Sequence, residues 1–184
     1  MNTENKTVEQ NVPREGLMTI FPSQYDQLIQ AGCAKYFPIL EWLKLKAQLY
    51  AESALKPDAV SGAGAQGIAQ FMPTTWPEAR DGIEAPADAT PFQPEYAIPG
   101  AAWYMRRMYR YWSTSRSKDD LWRLALASYN AGLGNIAKAL RMTKVVGNYE
   151  LMIQQLPHVT GEKNATETRN YVARIEEYYR QLKQ

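Results

Sequence analysis

Residues 49–76 place a carboxyl group beside a glycine-rich loop, a combination that suits acid–base chemistry. Glu52 closes an apolar helical run, so we expect hydrophobic neighbours to cover part of its carboxyl group. A Pro-Asp turn and three glycines follow, and they let the backbone pass close to that group. Burial disfavours the charged form of a carboxyl group and raises its pKa. The stretch predicts that Glu52 is a general acid, and a solvated glutamate at a helix end is the alternative.

Four segments carry a resemblance to one family. They are residues 52–61, 64–73, 127–132 and 167–172, and they span nearly the whole chain. In this order they resemble the motifs of the soluble-lytic-transglycosylase domain family, whose members have a lysozyme-like fold and cleave peptidoglycan. The resemblance implies an all-α, lysozyme-like (goose-type) single globular domain with a cleft. It also implies peptidoglycan glycan strands as the partner, and no cofactor.

The same resemblance gives Glu52 both steps of the reaction. Glu52 would first protonate the glycosidic oxygen between N-acetylmuramic acid and N-acetylglucosamine, while the muramoyl N-acetyl oxygen supports the reacting carbon. It would then take the proton of the sugar's own C6 hydroxyl, which closes a 1,6-anhydro ring. An intramolecular hydroxyl acts at a high effective concentration, and this favours ring closure over attack by water.

The resemblance further predicts the residues around the sugar. Ser61 and Gln70 would hydrogen-bond the substrate's acetamido group or Glu52 itself. Tyr129 would place its hydroxyl near the catalytic carboxyl group, and Glu167 would hold the cleft together. The other predicted substrate-binding residues have structural alternatives, which are core packing for Phe71, Met72 and Tyr171 and a helix end for Asn130.

Two positions depart from the family pattern. Ala69 stands where the family usually has methionine, and Ser128 stands where it often has alanine. Both changes are small, so the assignment of Glu52 is unaffected. We expect them to bear on the preference for particular sugar subsites.

Other chemistries fit the sequence less well. Residues 62–67 match the GxGxxG dinucleotide pattern by letter, but a Pro-Asp turn precedes them and Pro73 interrupts the segment that follows. A glycosidase with two carboxyl groups needs the second one about 5 to 9.5 Å from the first. The candidates are Asp58, which suits a turn cap, and Glu78 and Asp81 in a polar connection. A true hydrolase and a non-catalytic glycan-binding or virion module on the same fold are the alternatives carried forward.

Composition sets further bounds. The 184 residues suit one domain, and a net charge of +2 is too small to indicate nucleic acid. The single cysteine, Cys33, and the single histidine, His158, predict no internal disulfide, no zinc site and no Ser-His-acid triad. We expect a monomer.

The first 16 residues are polar and aperiodic, which predicts a flexible tail before a catalytic domain at 17–184. The chain shows no secretory signal and no apolar run of the roughly 18 residues that span a bilayer. We therefore expect synthesis in a host cytoplasm and action on the periplasmic cell wall. Carriage in a phage particle, with virion proteins as partners, or a holin-dependent route during lysis would allow this.

The hydrophobic pattern predicts helices throughout. One runs from Ser23 to Gly32, and the next begins at Pro38, buries Ile39 and carries Glu52 at its end. Residues 77–94 read as an extended connection. The remaining predicted helices cover about 95–112, 117–132, 135–141, 149–156 and 166–182.

Overall fold

A computed structural model describes residues 21–113, 116–143 and 148–184 of the chain. In these residues the regular structure is helical, with two isolated β-bridges, Val60 to Gln66 and Gln66 to Phe71. The helices are α1 (Asp26–Tyr36), α2 (Trp42–Ser53), α3 (Trp76–Gly82), α4 (Pro94–Tyr111), α5 (Lys118–Ala131), α6 (Leu133–Met142), α7 (Tyr149–Gln155), α8 (Pro157–Thr160) and α9 (Glu162–Leu182). The all-α prediction is confirmed. The predicted tail at 1–16 lies outside the described residues.

The buried side chains form two hydrophobic clusters. One is built mainly on α5, α6, α9 and the second half of α4, and includes Met105, Leu124, Leu126, Ile136, Val172 and Ile175. The other is built on α1, α2, α3 and the first half of α4, and includes Ile29, Leu45, Leu49, Phe71, Trp76 and Ile98. Leu49 belongs to the second cluster, whereas Ala51 packs against the first. The C-terminal turn of α2, which carries Glu52, therefore lies where the clusters meet.

The start of α2 differs from the prediction. The sequence predicts a helix from Pro38 with Ile39 on its buried face, but α2 begins at Trp42 and Ile39 is 75% exposed. The amide of Leu40 donates to the Phe37 carbonyl at 2.9 Å, which closes a tight turn. From this turn Leu40 packs against both clusters. Leu40 therefore contacts the core, where the sequence pattern predicts Ile39.

Three prolines lie in the first turns of helices. The sequence does not predict two of these helices, and it predicts the start of the third one residue late. Pro77 lies in the first turn of α3, inside the stretch read as an extended connection. Pro94 begins α4, and Pro157 begins α8 instead of ending the helical run. Proline fits the first helical turn because its missing N–H has no partner there in any case. Gly161 then adopts a φ of 81°, and the last helix begins at Glu162, four residues earlier than predicted.

The first helix also runs further than expected, because Gly32 lies inside α1 and does not end it. A Cβ at Gly32 would lie 3.4 Å from the Cα of Pro99 in α4. Glycine at this position therefore lets α1 and α4 pack closely. Among the helices of the described ranges, none has the length and apolar character that crossing a membrane requires.

Helix α5 begins and ends as predicted. The hydroxyl of Ser117 accepts a hydrogen bond from the Asp120 amide at 3.1 Å, and Gly132 follows the helix with a φ of 86°. Ser128 is 2% exposed; its hydroxyl accepts from Nε1 of Trp112 at 3.0 Å and donates to the Leu124 carbonyl at 2.7 Å. Ser128 therefore satisfies a buried indole in the core, which is a structural reason for its departure from the family pattern.

Candidate active site

The end of α2 is fixed to the glycine-rich loop. Ala54 and Leu55 adopt left-handed φ values of 55° and 62°, which turn the chain sharply after Ser53. The Ser53 hydroxyl donates to the carbonyl of Ile68 at 2.8 Å. This hydrogen bond holds the loop against the helical turn that carries Glu52.

Hydrogen bonds of both backbone and side chains hold the loop closed. The amide of Gly67 donates to the Ala59 carbonyl at 2.8 Å. Nε2 of Gln70 donates to the carbonyls of Ala59 and Gly67 at 3.2 and 2.9 Å, and the Ser61 hydroxyl accepts from the Ala65 amide at 3.0 Å. Ser61 and Gln70 thus brace the loop, and neither hydrogen-bonds Glu52. Their predicted contact with the substrate's acetamido group stays a prediction.

Glu52 has the surroundings of a general acid. The residue is half-buried, and its carboxyl group is desolvated. This burial raises the pKa of Glu52 to about 7, against the opposing effects of a hydrogen bond from Tyr171 and the charge of Arg174. The Tyr171 hydroxyl donates to Oε1 of Glu52 at 2.5 Å. Glu52 is therefore protonated for a substantial fraction of the time near neutral pH.

The two tyrosines differ from the predicted roles. Burial, and after it the charge of the nearby Glu52, raises the pKa of the Tyr129 hydroxyl well above its usual value. Its proton, however, goes to the carbonyl of Ala69 at 2.6 Å. Tyr171, for which the sequence predicts substrate binding or core packing, is the hydroxyl donor to the catalytic carboxyl group. Tyr129 thus holds the loop at Ala69, and Tyr171 holds Glu52.

The predicted bracing role of Glu167 is wrong. Its side chain is exposed and makes no hydrogen bond or ion pair with the described residues. The buried face of α9 runs through Ala165, Thr168 and Tyr171, and Glu167 falls beside that stripe. Glu167 instead lines a polar pocket of about 220 Å³ together with Asn130. Asn130 is exposed there and accepts a hydrogen bond from the Thr168 hydroxyl at 2.8 Å.

Phe71 and Met72 are neighbours in different surroundings. Phe71 is 2% exposed, and its ring lies 6.0 Å from the rings of Tyr104 and Tyr129, so it packs in the core behind the loop. Met72 is 39% exposed. Of these two predicted residues, Met72 is therefore the one with surface to offer a sugar.

The carboxyl groups considered as partners of Glu52 are either exposed or paired with arginines. Asp58 is exposed, Glu78 pairs with Arg107 at 2.9 Å, and Asp81 pairs with Arg80 at 2.7 Å. Within residues 21–113, 116–143 and 148–184, the charged group that acts on Glu52 is a cation, and no carboxylate does so. The same residues contain no cluster of histidine, cysteine, aspartate or glutamate that could hold a metal ion.

This arrangement agrees with the comparison to known families. The profile of the family described as Transglycosylase SLT domain matches residues 34–152, which include α2, the glycine-rich loop and all of α5. The chain belongs to this family. The match contains the first three of the four segments, ends before residues 167–172 and places Glu52 inside the SLT domain.

The curated relatives of this chain are named as lytic transglycosylases. The membrane-bound lytic murein transglycosylase F of Vibrio cholerae is 33% identical over an alignment of 163 positions with gaps, which covers 80% of this chain and 29% of that protein. The protein of the same name from Maricaulis maris is 32% identical over an alignment of 188 positions with gaps, which covers 94% of this chain and 37% of that protein. This SLT domain chain thus spans about a third of the length of the curated relatives it matches.

The crystal structure of the 70 kDa soluble lytic transglycosylase from Escherichia coli superposes with a TM-score of 0.69 and 25% identity. That match covers 89% of this chain and 25% of the other. A complex of the 70 kDa soluble lytic transglycosylase with bulgecin A gives a TM-score of 0.72 at 24% identity, covering 91% and 25%. The lysozyme-like fold of this SLT domain is thereby confirmed.

Sequence reasoning missed two residues of the site. Arg174 acts on Glu52 by its charge, and Gln48 is fully buried beside Tyr171. Each lies about one helical turn from a site residue on its own helix, Gln48 before Glu52 and Arg174 after Tyr171. Helical spacing of three and four residues is the signal that could have found them.

Proposed function

We propose that this chain is a peptidoglycan lytic transglycosylase that cleaves the bond from N-acetylmuramic acid to N-acetylglucosamine and leaves 1,6-anhydro-muramic ends. The observation that carries the proposal is Glu52, a desolvated carboxyl group with a pKa of about 7 and no carboxylate acting on it among the described residues. A single acid with such a pKa can both give and take a proton near neutral pH. Membership of the SLT domain family and the names of the relatives support the same reaction.

The reaction balances with one acid and no water. Protonated Glu52 gives its proton to the glycosidic oxygen, and the bond from that oxygen to the anomeric carbon of muramic acid breaks. The acetamido oxygen of the same sugar supports the positive charge at that carbon. The C6 hydroxyl then attacks the carbon, and the Glu52 carboxylate takes the hydroxyl proton. Glu52 ends in its starting protonation state, so one residue serves a full turnover.

Product analysis tests this proposal. Digestion of purified sacculi should release muropeptides that end in 1,6-anhydro-muramic acid, lighter by one water than hydrolytic products. Such ends resist borohydride reduction, so mass spectrometry after reduction distinguishes the two. Reducible muramic ends as the main product would instead identify a lysozyme, with water as the nucleophile. Sugar binding without any released muropeptide would identify a non-catalytic module.

The pH dependence of the rate provides a second test. We expect kcat/KM to fall as the pH rises through about 7, because Glu52 must be protonated in the free enzyme and burial raises its pKa to about 7. A solvated glutamate would move this fall to near the ordinary value of 4.5. Initial rates of muropeptide release between about pH 3 and about pH 9 measure the midpoint. A rate that is already falling below about pH 5 would contradict the assignment of Glu52 as a buried acid.

The setting in which the protein acts is a further part of the proposal. We propose that it reaches the periplasmic cell wall as a monomer, either inside a phage particle or through a holin-dependent route as an endolysin. Copurification with virions would support the particle-borne role. Its absence from virions, together with appearance in the medium at lysis, would support the endolysin role.

A further inference from the structure

Gln48 is a buried polar side chain without a conventional partner. It is 0% exposed, and neither Oε1 nor Nε2 of its amide makes a hydrogen bond of ordinary geometry with the described residues. A buried amide in this state destabilises the folded protein, because its lost hydrogen bonds to water are not replaced. Such groups are rare in folded proteins, and one beside a catalytic residue calls for a functional explanation.

The position of Gln48 points to Tyr171. Gln48 lies on α2 one helical turn before Glu52, and these two positions share a face of the helix. Its amide acts on the Tyr171 hydroxyl as a hydrogen-bond donor and lowers the pKa of that hydroxyl, opposing the larger effect of burial. The contact falls outside conventional hydrogen-bond geometry, since neither polar atom of the amide has a partner of ordinary geometry among the described residues. Hydrogen bonds of catalytic groups are often long without substrate and tighten when it binds.

The direction of the hydrogen bond from Tyr171 decides which carboxyl oxygen of Glu52 carries the proton. The Tyr171 hydroxyl has one proton, which it gives to Oε1 of Glu52, and its oxygen can accept from another donor. The side-chain NH₂ of Gln48 is such a donor. While Oε1 accepts from Tyr171 it cannot carry the carboxyl proton toward that tyrosine. The proton of the neutral acid then belongs on Oε2.

We propose that Gln48 is a positioning residue of this site: its amide holds the Tyr171 hydroxyl on Oε1 of Glu52 and thereby keeps the transferable proton on Oε2. This inference rests on the proposed function in so far as Glu52 is the acid. The role of Gln48 is indirect, because it acts through Tyr171 and touches no reacting atom. It explains why an amide, and not an apolar side chain, occupies a fully buried position of α2.

The contact also bears on the pKa of Glu52. The charged and titratable groups that face Glu52 are Tyr171 and Arg174 on α9 and Tyr129 on α5. Donation from Gln48 polarises the Tyr171 hydroxyl and strengthens its own donation to the carboxylate. A stronger bond to the charged form lowers the pKa of Glu52, so removal of the Gln48 amide should raise it.

Replacement of Gln48 with methionine tests the inference, because methionine keeps the length of the side chain and removes the amide. The variant should be as stable as the parent or more stable, since a buried unpaired polar group is lost. We expect kcat on peptidoglycan to fall about 3- to 10-fold with KM little changed. The pKa of Glu52, followed by carboxyl NMR without substrate, should rise by about 0.3 to 1 unit.

Two comparisons separate this role from packing. Leu49→Met changes a fully buried apolar neighbour on the same helix and should leave the pKa of Glu52 unchanged. In a Tyr171→Phe background, Gln48→Met should have no further effect on kcat or on that pKa, because its only route to Glu52 has been removed. Gln48→Leu serves in place of the methionine variant if the latter does not fold.

The outcomes are distinct. Equal effects of Gln48→Met in both backgrounds, or an unchanged pKa of Glu52, would overturn the inference. Loss of stability in proportion to the loss of rate would also overturn it, since that marks a packing role. The NMR titration needs no turnover. A raised pKa in a protein that releases no muropeptide would therefore uphold the contact and overturn the proposed function.

Discussion

Glu52→Gln should abolish the release of muropeptides from purified sacculi while the fold and sugar binding persist. The glutamine Oε1 can still accept the hydrogen bond from Tyr171, so the site keeps its shape. The amide can neither give nor take the transferred proton, and general acid–base catalysis contributes about 100- to 10,000-fold to a rate. Dye release from labelled sacculi measures the loss. Activity within a few-fold of the parent would remove Glu52 from the mechanism.

The matched control is Asp58→Asn, which neutralises an exposed carboxylate on the turn that follows α2. It should retain nearly full activity, because Asp58 is not among the groups that act on Glu52. A large loss in this variant would favour the lysozyme alternative, in which a second carboxylate activates water.

Stability provides a second readout of Glu52→Gln. Burial raises the pKa of Glu52 from 4.5 to about 7, so the folded state keeps a proton that the unfolded chain loses. The stability from this proton is complete below about pH 4.5 and is lost as the pH rises through about 7. Glutamine has no such dependence. The variant should therefore gain about 1–3 kcal/mol on the parent between these pH values, seen as a widening difference in Tm.

Gly67→Ala should be the most destabilising single-methyl change in the loop. A Cβ at this position would lie 1.8 Å from the carbonyl oxygen of Pro91, and the backbone φ is 73°. The overlap is with backbone, so relief requires movement of the loop or of the segment that carries Pro91. Crowding of about 1–3 kcal/mol and a left-handed cost of about 1–2 kcal/mol together predict a loss of about 2–5 kcal/mol.

Gly64→Ala separates the two contributions. Gly64 has a φ of 85°, but a Cβ there would meet no atom within 4 Å. This variant should lose only the left-handed cost, about 1–2 kcal/mol. Urea denaturation of both variants measures the difference. Equal losses would show that the contact between the loop and Pro91 does not limit stability.

The sequence predicts well those features that depend on neighbours in the chain. Glu52 at the end of an apolar helix, the loop after it and the two ends of α5 all depend on local residue types. The donor to Glu52 depends on packing instead, because Tyr171 lies 119 residues away and meets Glu52 only when α9 packs on α2. The exposure of Glu167 likewise follows from the rotation of α9 about its axis, which the six-residue segment 167–172 does not reveal.

The prolines show a second limit of sequence reading. Proline disrupts a helix interior but suits its first turn, so a proline-rich stretch is compatible with a linker or with helix starts. Tertiary contacts decide between these readings. In α3, Trp76 is buried and its Nε1 donates to the Ala89 carbonyl at 2.8 Å, which draws the whole segment onto the core.

The hydrogen bond between Trp112 and Ser128 limits which substitutions these two positions tolerate. Alanine at 128 would leave the indole N–H of Trp112 buried without a partner, at a cost of about 1–3 kcal/mol. Alanine, which the family often has at this position, is therefore disfavoured at 128 while tryptophan occupies position 112. The two sites should be replaced together or in a fixed order, with Trp112 first. Relatives with alanine at 128 should accordingly carry a residue without a buried donor at 112.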